Sequence, residues 1–274
     1  MSKASTIGII APASALKDGE NLEAGIHYLQ ELGFKVKQAK NILLQEELCH
    51  GSFFAGSIEA RIEGIMQVWS DPEVDILLSM RGGYGCMQLL DKLDYDYMGK
   101  NPKPVLGYSD LTALFMALYT QAYHGKLELF HTPMLIELAT MNKTTNDSFI
   151  DLLNQIDPEA YMNYQMKLNQ GIKVHGGNLS LVASLVGTKY LPDMQDAILF
   201  LEDCKEPAYK IERMFYQLEL AGIFDSIAEM QLGIASEANY PDTYLSELVL
   251  RKGFSLAKDI PVGHAKTNLS LVLG

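Results

Sequence analysis

Cysteine is scarce in this chain, with three in 274 residues, and Cys49, Cys86 and Cys204 never fall into a Cys-x-x-Cys pair. That argues against a thiolate metal cluster and against a disulfide framework; three scattered thiols fit a reducing compartment. No His-Glu-x-x-His occurs, no phosphate-loop spacing with its lysine, and no dinucleotide fingerprint, so neither a metal nor a cofactor is expected. Positive charge is in short supply: 22 Lys and Arg stand against 34 Asp and Glu, a net charge of −12. Such a surface repels phosphate backbones and anionic lipid, which removes nucleic acid and membranes as expected partners. Long apolar runs are missing too, none approaching the ~20 residues that cross a bilayer. Near the N-terminus, Ile7-Gly8-Ile9-Ile10-Ala11 is closed early by Pro12 and preceded by one lysine, so it reads as a core strand and not as a secretory signal. A soluble, cytoplasmic protein follows.

What is present is apolar residue in quantity, 48% of the chain against 20% charged, enough for a packed core. The first half alternates strand and helix patterns. Strands are expected at Ile7–Ala11, Phe34–Val36, Val74–Met80 and Val105–Tyr108. Helices are expected at Leu22–Leu32, Ser57–Trp69 and Met87–Leu93. This order predicts an α/β fold, a mostly parallel sheet flanked by helices, over residues 1–150. The polar, asparagine-rich stretch from about Asn142 to Lys173 reads as a connection, with the linker proper at 151–172. A smaller α/β domain is expected over 173–274, with strands near Ala197–Leu201, Glu229–Ile234 and Pro261–His264 and helices near Leu179–Val186, Tyr209–Leu220 and Tyr244–Lys252. Asn268–Gly274 reads as a strand entering a turn, with the natural chain expected to run on. No internal repeat or low-complexity tract is visible.

Pro104-Val105-Leu106-Gly107-Tyr108-Ser109-Asp110 carries the chemistry. A short apolar strand runs into one serine, and an amphipathic helix starts at Leu111. That arrangement lifts a hydroxyl out of a sharp turn and aims helix N–H groups at it, as acyl transfer requires. A helix cap is the plainer role for Ser109. Of six histidines, His27 and His50 read as surface residues and His124 as a helix-end cation. His264 follows Ile260-Pro261-Val262-Gly263 at an expected strand end with a small neighbour, a place for a reactive side chain. Ala197–Leu201 ends in Glu202-Asp203, and either acid suits the task of fixing an imidazole tautomer. One oxyanion donor falls to the N–H of Asp110, a second to Gly82 or Gly83 in the turn Arg81-Gly82-Gly83-Tyr84-Gly85. A histidine base implies activity rising with an apparent pKa of about 6–7. Arginine is limited to Arg61, Arg81, Arg213 and Arg251. Arg81 is the candidate for a substrate carboxylate, or else anchors the glycine turn. Asn178 either lines the substrate site or caps the helix at Leu179. His131-Thr132-Pro133-Met134 reads as structural, and Met214, Phe215 and Leu218 as core.

Arg81-Gly82-Gly83-Tyr84-Gly85, Gly107-Tyr108-Ser109-Asp110, Gly176-Gly177-Asn178, Leu201-Glu202-Asp203 and Gly263-His264, in that order, resemble the LD-carboxypeptidases of peptidase family S66, which include the microcin C immunity peptidases. The resemblance runs from Ile7 to Asn268. It implies Ser109 as nucleophile, Glu202 rather than Asp203 as the acid, and His264 as the base. It also implies oxyanion donation by Asp110 and the Gly82–Gly83 turn, and a homodimer; members of the family generally run on past the point where this sequence stops. The implied activity is a serine carboxypeptidase that removes terminal D-alanine from a murein tetrapeptide during cell-wall recycling. The alternatives are an immunity-type peptidase cutting a peptidyl-nucleotide antibiotic, and a muropeptide-binding protein without catalysis.

Overall fold

The computed structural model describes residues 5–49, 52–122, 127–155, 173–234, 236–237 and 239–274. The chain divides into two compact units, Met1–Met141 and Asn142–Gly274. Among the described residues no helix is long and apolar enough to cross a membrane.

In the first unit, strands β1 (Thr6–Ile10), β2 (Lys35–Gln38), β5 (Ile76–Ser79), β6 (Val105–Gly107) and β7 (Leu129–His131) run parallel in the order β7-β6-β5-β1-β2. Apart from β2, these strands are buried along their whole length, which is why they read as continuous apolar runs without alternation. The helices start where short polar side chains stand ready to cap them. Asn21 Oδ1 accepts from Ala24 N at α1 (Leu22–Glu31), and Ser57 Oγ accepts from Ala60 N at α2 (Ile58–Ser70). Asp94 does the same at α3 (Tyr95–Lys100), a helix too short to show a period in the sequence. A small antiparallel pair, β3 (Glu46–Cys49) and β4 (Ser52–Phe54), also escapes sequence reading. The expected helix at Met87–Leu93 is a single 3-10 stretch, Cys86–Leu89. After β6 comes α4 (Leu111–Ala122), almost wholly buried.

The second unit is built on a parallel sheet in the order β11-β10-β9-β8, formed by β8 (Val174–Asn178), β9 (Ile198–Glu202), β10 (Glu229–Gly233) and β11 (Ser255–Ile260). With it come α6 (Leu179–Leu185), α7 (Ala208–Leu220), α8 (Asp242–Lys252) and the short strand β12 (Leu271–Leu273). Two expectations need correction. The polar stretch read as connection holds a helix, α5 (Lys143–Gln155), whose first turn is capped by Asn142 Oδ1 accepting from Thr145 N at 2.9 Å. Asparagine there signals a cap rather than a loop. The strand before His264 is Ser255–Ile260, so Pro261–His264 lies beyond it in a bend; the proline has no N–H to continue the ladder. Most of the 151–172 stretch lies outside the described residues.

Candidate active site

The elbow around Ser109 is a backbone construction. β6 ends at Gly107, and Ser109 takes φ 63°, left-handed and strained for a residue with a side chain. Ser109 O then accepts from Thr112 N at 3.0 Å in the turn into α4. Tyr108 is pinned beneath, its hydroxyl donating to Glu137 Oε1 at 2.6 Å and its ring 5.2 Å from that of His131.

Gly82 faces the serine. A Cβ placed on it would lie 2.9 Å from Ser109 Cβ, 3.1 Å from Oγ and 3.5 Å from Asp110 N. Only a residue without a side chain lets the two backbones approach this closely. The glycine turn is fastened on several sides. Tyr84 N donates to Ser14 Oγ at 3.0 Å, Cys86 N to Asp110 Oδ2 at 2.8 Å, and Ser79 Oγ to Arg81 O at 3.0 Å. The Arg81 guanidinium is turned toward Ala15 O (2.8 Å) and Glu20 Oε2 (3.0 Å), inside the protein's own hydrogen bonding. Burial pushes the Asp110 carboxyl up, against the opposing pull of the Cys86 hydrogen bonds and of Arg61. Burial also holds the Cys86 thiol well above its usual range, leaving an inert sulfur.

Glu202 ends β9, Asp203 follows it, and the two acids diverge. Glu202, fully buried, presents Oε2 to the His264 ring, 2.7 Å from Nδ1, and accepts from His264 N at 3.1 Å. Asp203 is committed elsewhere. It accepts from Asn178 Nδ2 (3.0 Å), Ser180 N (3.0 Å), Ser180 Oγ (2.7 Å) and Cys204 N (2.8 Å). Period-2 alternation puts successive residues on opposite faces, so adjacent acids at a strand end meet different partners. Asn178 caps α6, accepting from Leu181 N at 3.3 Å. Gly263, at φ 111°, lets the chain pass over the carboxylate, since a Cβ there would fall 2.6 Å from Glu202 Oε2. Asn268 Oδ1 accepts from Gly263 N at 2.8 Å and steadies this bend.

Burial of the His264 ring disfavours its charged form. Hydrogen bonds to Cys204 and Glu202, with the charge of Glu202 beside it, outweigh that and push its pKa up to about 10. The acid limb of any activity that depends on neutral His264 therefore moves above the pH 6–7 expected of an ordinary imidazole. Among the described residues no group of His, Cys, Asp or Glu is arranged to hold a metal.

Of the predicted residues, then, Ser109, Asp110, Gly82, Gly83 and Arg81 gather in the first unit, and Glu202, His264 and Asn178 belong to the second. Of the histidines set aside, His27 is exposed beside Glu31, while His50 and His124 lie outside the described residues. Sequence reading missed Ser14, Arg61 and the side-chain role of Asp110. Arg61 had a signal. The buried positions of α2 are Arg61, Gly64, Ile65, Val68 and Trp69, a helical face on which an arginine stands out.

Two parallel-sheet units, one with a strained serine at a strand end and one with a carboxylate–histidine pair, define an α/β protein. Residues 7–131 match the LD-carboxypeptidase N-terminal domain and residues 172–274 the LD-carboxypeptidase C-terminal domain, and the chain belongs to this family of peptidases. It is 28% identical to the probable murein peptide carboxypeptidase of Bacillus subtilis, covering 100% of this chain and 88% of that protein. It is 26% identical to the microcin C7 self-immunity protein MccF of Escherichia coli, covering 91% of this chain and 82% of that protein. The crystal structure of muramoyltetrapeptide carboxypeptidase from Oxalobacter formigenes superposes with a TM-score of 0.80 at 28% identity, over 98% of this chain and 93% of that one.

Proposed function

We propose that this protein is a serine carboxypeptidase that hydrolyses an L,D-peptide bond and releases the terminal D-alanine of a murein tetrapeptide. The bond joins the L-configured centre of a diamino acid to the D-residue. Ser109 Oγ attacks the scissile carbonyl while His264 takes its proton. Because Nδ1 is turned to Glu202, the proton-transfer role falls to Nε2. Glu202 keeps the tautomer and stabilises the imidazolium as it forms. The oxyanion rests on N–H groups of Asp110 and of the Gly82–Gly83 turn. The C–N bond then breaks, D-alanine leaves with the proton from His264, and water releases the acyl group from Ser109.

The observation that carries this reading is the 2.7 Å bond between fully buried Glu202 and the His264 ring, which prepares a base for a serine already raised on a strained turn. The sequence suggests Arg81 and Asn178 as substrate contacts. Their bonds to Glu20 and Ala15 and to Asp203 favour anchoring roles for both. The family resemblance supports a homodimer, which size-exclusion chromatography with light scattering tests, and the scattered cysteines suit a cytoplasmic setting.

A second reading, cleavage of a peptidyl-nucleotide antibiotic, draws on the similarity to MccF. The chain's single tryptophan speaks against aromatic capture of a nucleobase by that residue, because Trp69 is buried in α2 with Nε1 donating to Asn101 O at 2.8 Å. Offering the protein murein tetrapeptide, its counterpart ending in L-alanine and a peptidyl nucleotide in parallel, with products read by mass spectrometry, separates the readings. Free D-alanine from the tetrapeptide alone is expected. Cleavage of the nucleotide conjugate alone would transfer the case to the second reading, and binding of the tetrapeptide without turnover to a muropeptide-binding protein.

A further inference from the structure

Arg61 is fully buried, and its guanidinium ties together three separate stretches of the first unit. Nε donates to Gly56 O at 3.2 Å, Nη1 to Pro12 O and Gly85 O at 3.0 Å each, and Nη2 to Gln88 Oε1 at 2.6 Å. Its plane lies over the Phe54 ring, 4.5 Å from the centroid. These four acceptors are neutral. The Asp110 carboxylate favours the cation through its charge alone, and replacing a buried ion by an apolar side chain of equal volume is often neutral or stabilising, so stability alone is a poor account of this choice. Geometry offers a better one. Gly85 closes the Arg81–Gly85 turn and Gln88 sits in the 3-10 stretch that follows. Between them Cys86 N is held by Asp110 Oδ2, the side chain of the residue whose own N–H is the first proposed oxyanion donor. The far end of the turn therefore cannot shift without breaking bonds to Arg61 and Asp110 together. At its other end Gly82 lies against Ser109.

We propose that Arg61 is a positioning residue for the oxyanion site: by holding Gly85 O and Gln88 it keeps the backbone of Gly82 and Gly83 where negative charge develops on the substrate carbonyl. The inference rests on the serine mechanism proposed above. Donors aimed at a developing charge lose effect steeply when displaced, so a change at a side chain that never touches substrate is felt in the transition state.

The test uses the full-length protein and first establishes that the unsubstituted chain releases D-alanine. Absence of release there would count against the mechanism itself and not against Arg61. Arg61→Lys and the milder Gln88→Met are then compared for kcat, KM, thermal midpoint and affinity for a peptidyl boronate, which forms a tetrahedral adduct on a catalytic serine. Arg61→Lys is expected to lower kcat per folded molecule and boronate affinity by the same factor, about 10- to 100-fold, with KM within about threefold. Gln88→Met is expected to do the same by roughly 3- to 10-fold. A role in folding alone predicts a lower thermal midpoint with kcat per folded molecule and boronate affinity unchanged, and that result in either folded variant overturns the proposal. So does a fall in kcat that leaves boronate affinity intact. Should Arg61→Lys fail to fold, Gln88→Met decides alone.

Discussion

The two units prepare their parts of the proposed chemistry by different physical means. In the first, the backbone does the work: Ser109 is held at φ 63°, Gly82 presses against it, and buried side chains fasten the turn from beneath. In the second, charge does it: a fully buried Glu202 meets a His264 ring of which about a fifth is exposed, and the pair is joined by one short bond. A backbone site tolerates few substitutions of any kind, because what it supplies is shape. A charged pair tolerates shape-preserving changes but answers sharply to charge and pH. The contrast lets each half be broken selectively.

The largest effect short of removing the nucleophile is expected from Glu202→Gln, which keeps volume and one acceptor while deleting the charge. A fall in kcat of about 10³-fold or more is expected, as when the orienting acid of a serine triad is neutralised. The pH dependence gives the sign. Hydrogen bonds to Cys204 and Glu202 and the charge of Glu202 raise the His264 pKa above its ordinary 6.5, so neutral base accumulates only at higher pH, and removing the Glu202 anion lowers the acid limb of kcat/KM part of the way back, the share held by Cys204 remaining. The same linkage makes the pair's contribution to stability fully present below 6.5 and lost as pH rises toward 10, a dependence that thermal scans on the variant should show to be weakened. An acid limb unmoved by the substitution would detach Glu202 from the base.

Gly82→Ala probes the other half. A methyl 2.9 Å from Ser109 Cβ must push the turn or the elbow aside, and kcat is expected to fall about 10²-fold with the acid limb unchanged. A shifted limb would mean that the two halves are not separable in this way. Asp203→Ala gives the smallest catalytic effect. It strips hydrogen bonds from Asn178, Ser180 and Cys204, which should cost about 1–3 kcal/mol of stability, measured by denaturant titration, while kcat per folded molecule stays within a few-fold. Equal losses of kcat at positions 202 and 203 would erase the distinction between the neighbouring acids.

The same contrast explains what the sequence disclosed. Parallel strands buried on both faces are continuous apolar runs, so β1, β5, β6 and β9 were legible, and Ser109 stood out because strand, serine and helix follow one another within a few residues. Glu202 and Asp203 could not be told apart by spacing, since their roles depend on which face of the strand end meets which neighbour. The bend at Pro261–His264 reads as a strand because Ile260, Pro261 and Val262 are apolar, although the ladder ends at Ile260. Helix α5 was hidden by a polar composition that a half-exposed helix shares with a loop. Arg61 shows in the sequence as an arginine on the apolar face of α2, but three of its four acceptors are backbone carbonyls, so the sequence does not disclose what it holds.

The most direct measurement compares Ser109→Ala with the unsubstituted chain for release of D-alanine from murein tetrapeptide, with folding of both verified by circular dichroism. The account predicts equal amounts of free D-alanine and tripeptide from the unsubstituted protein and a rate lower by about 10⁴-fold or more in the folded variant. Release at a comparable rate without the Ser109 hydroxyl would contradict it.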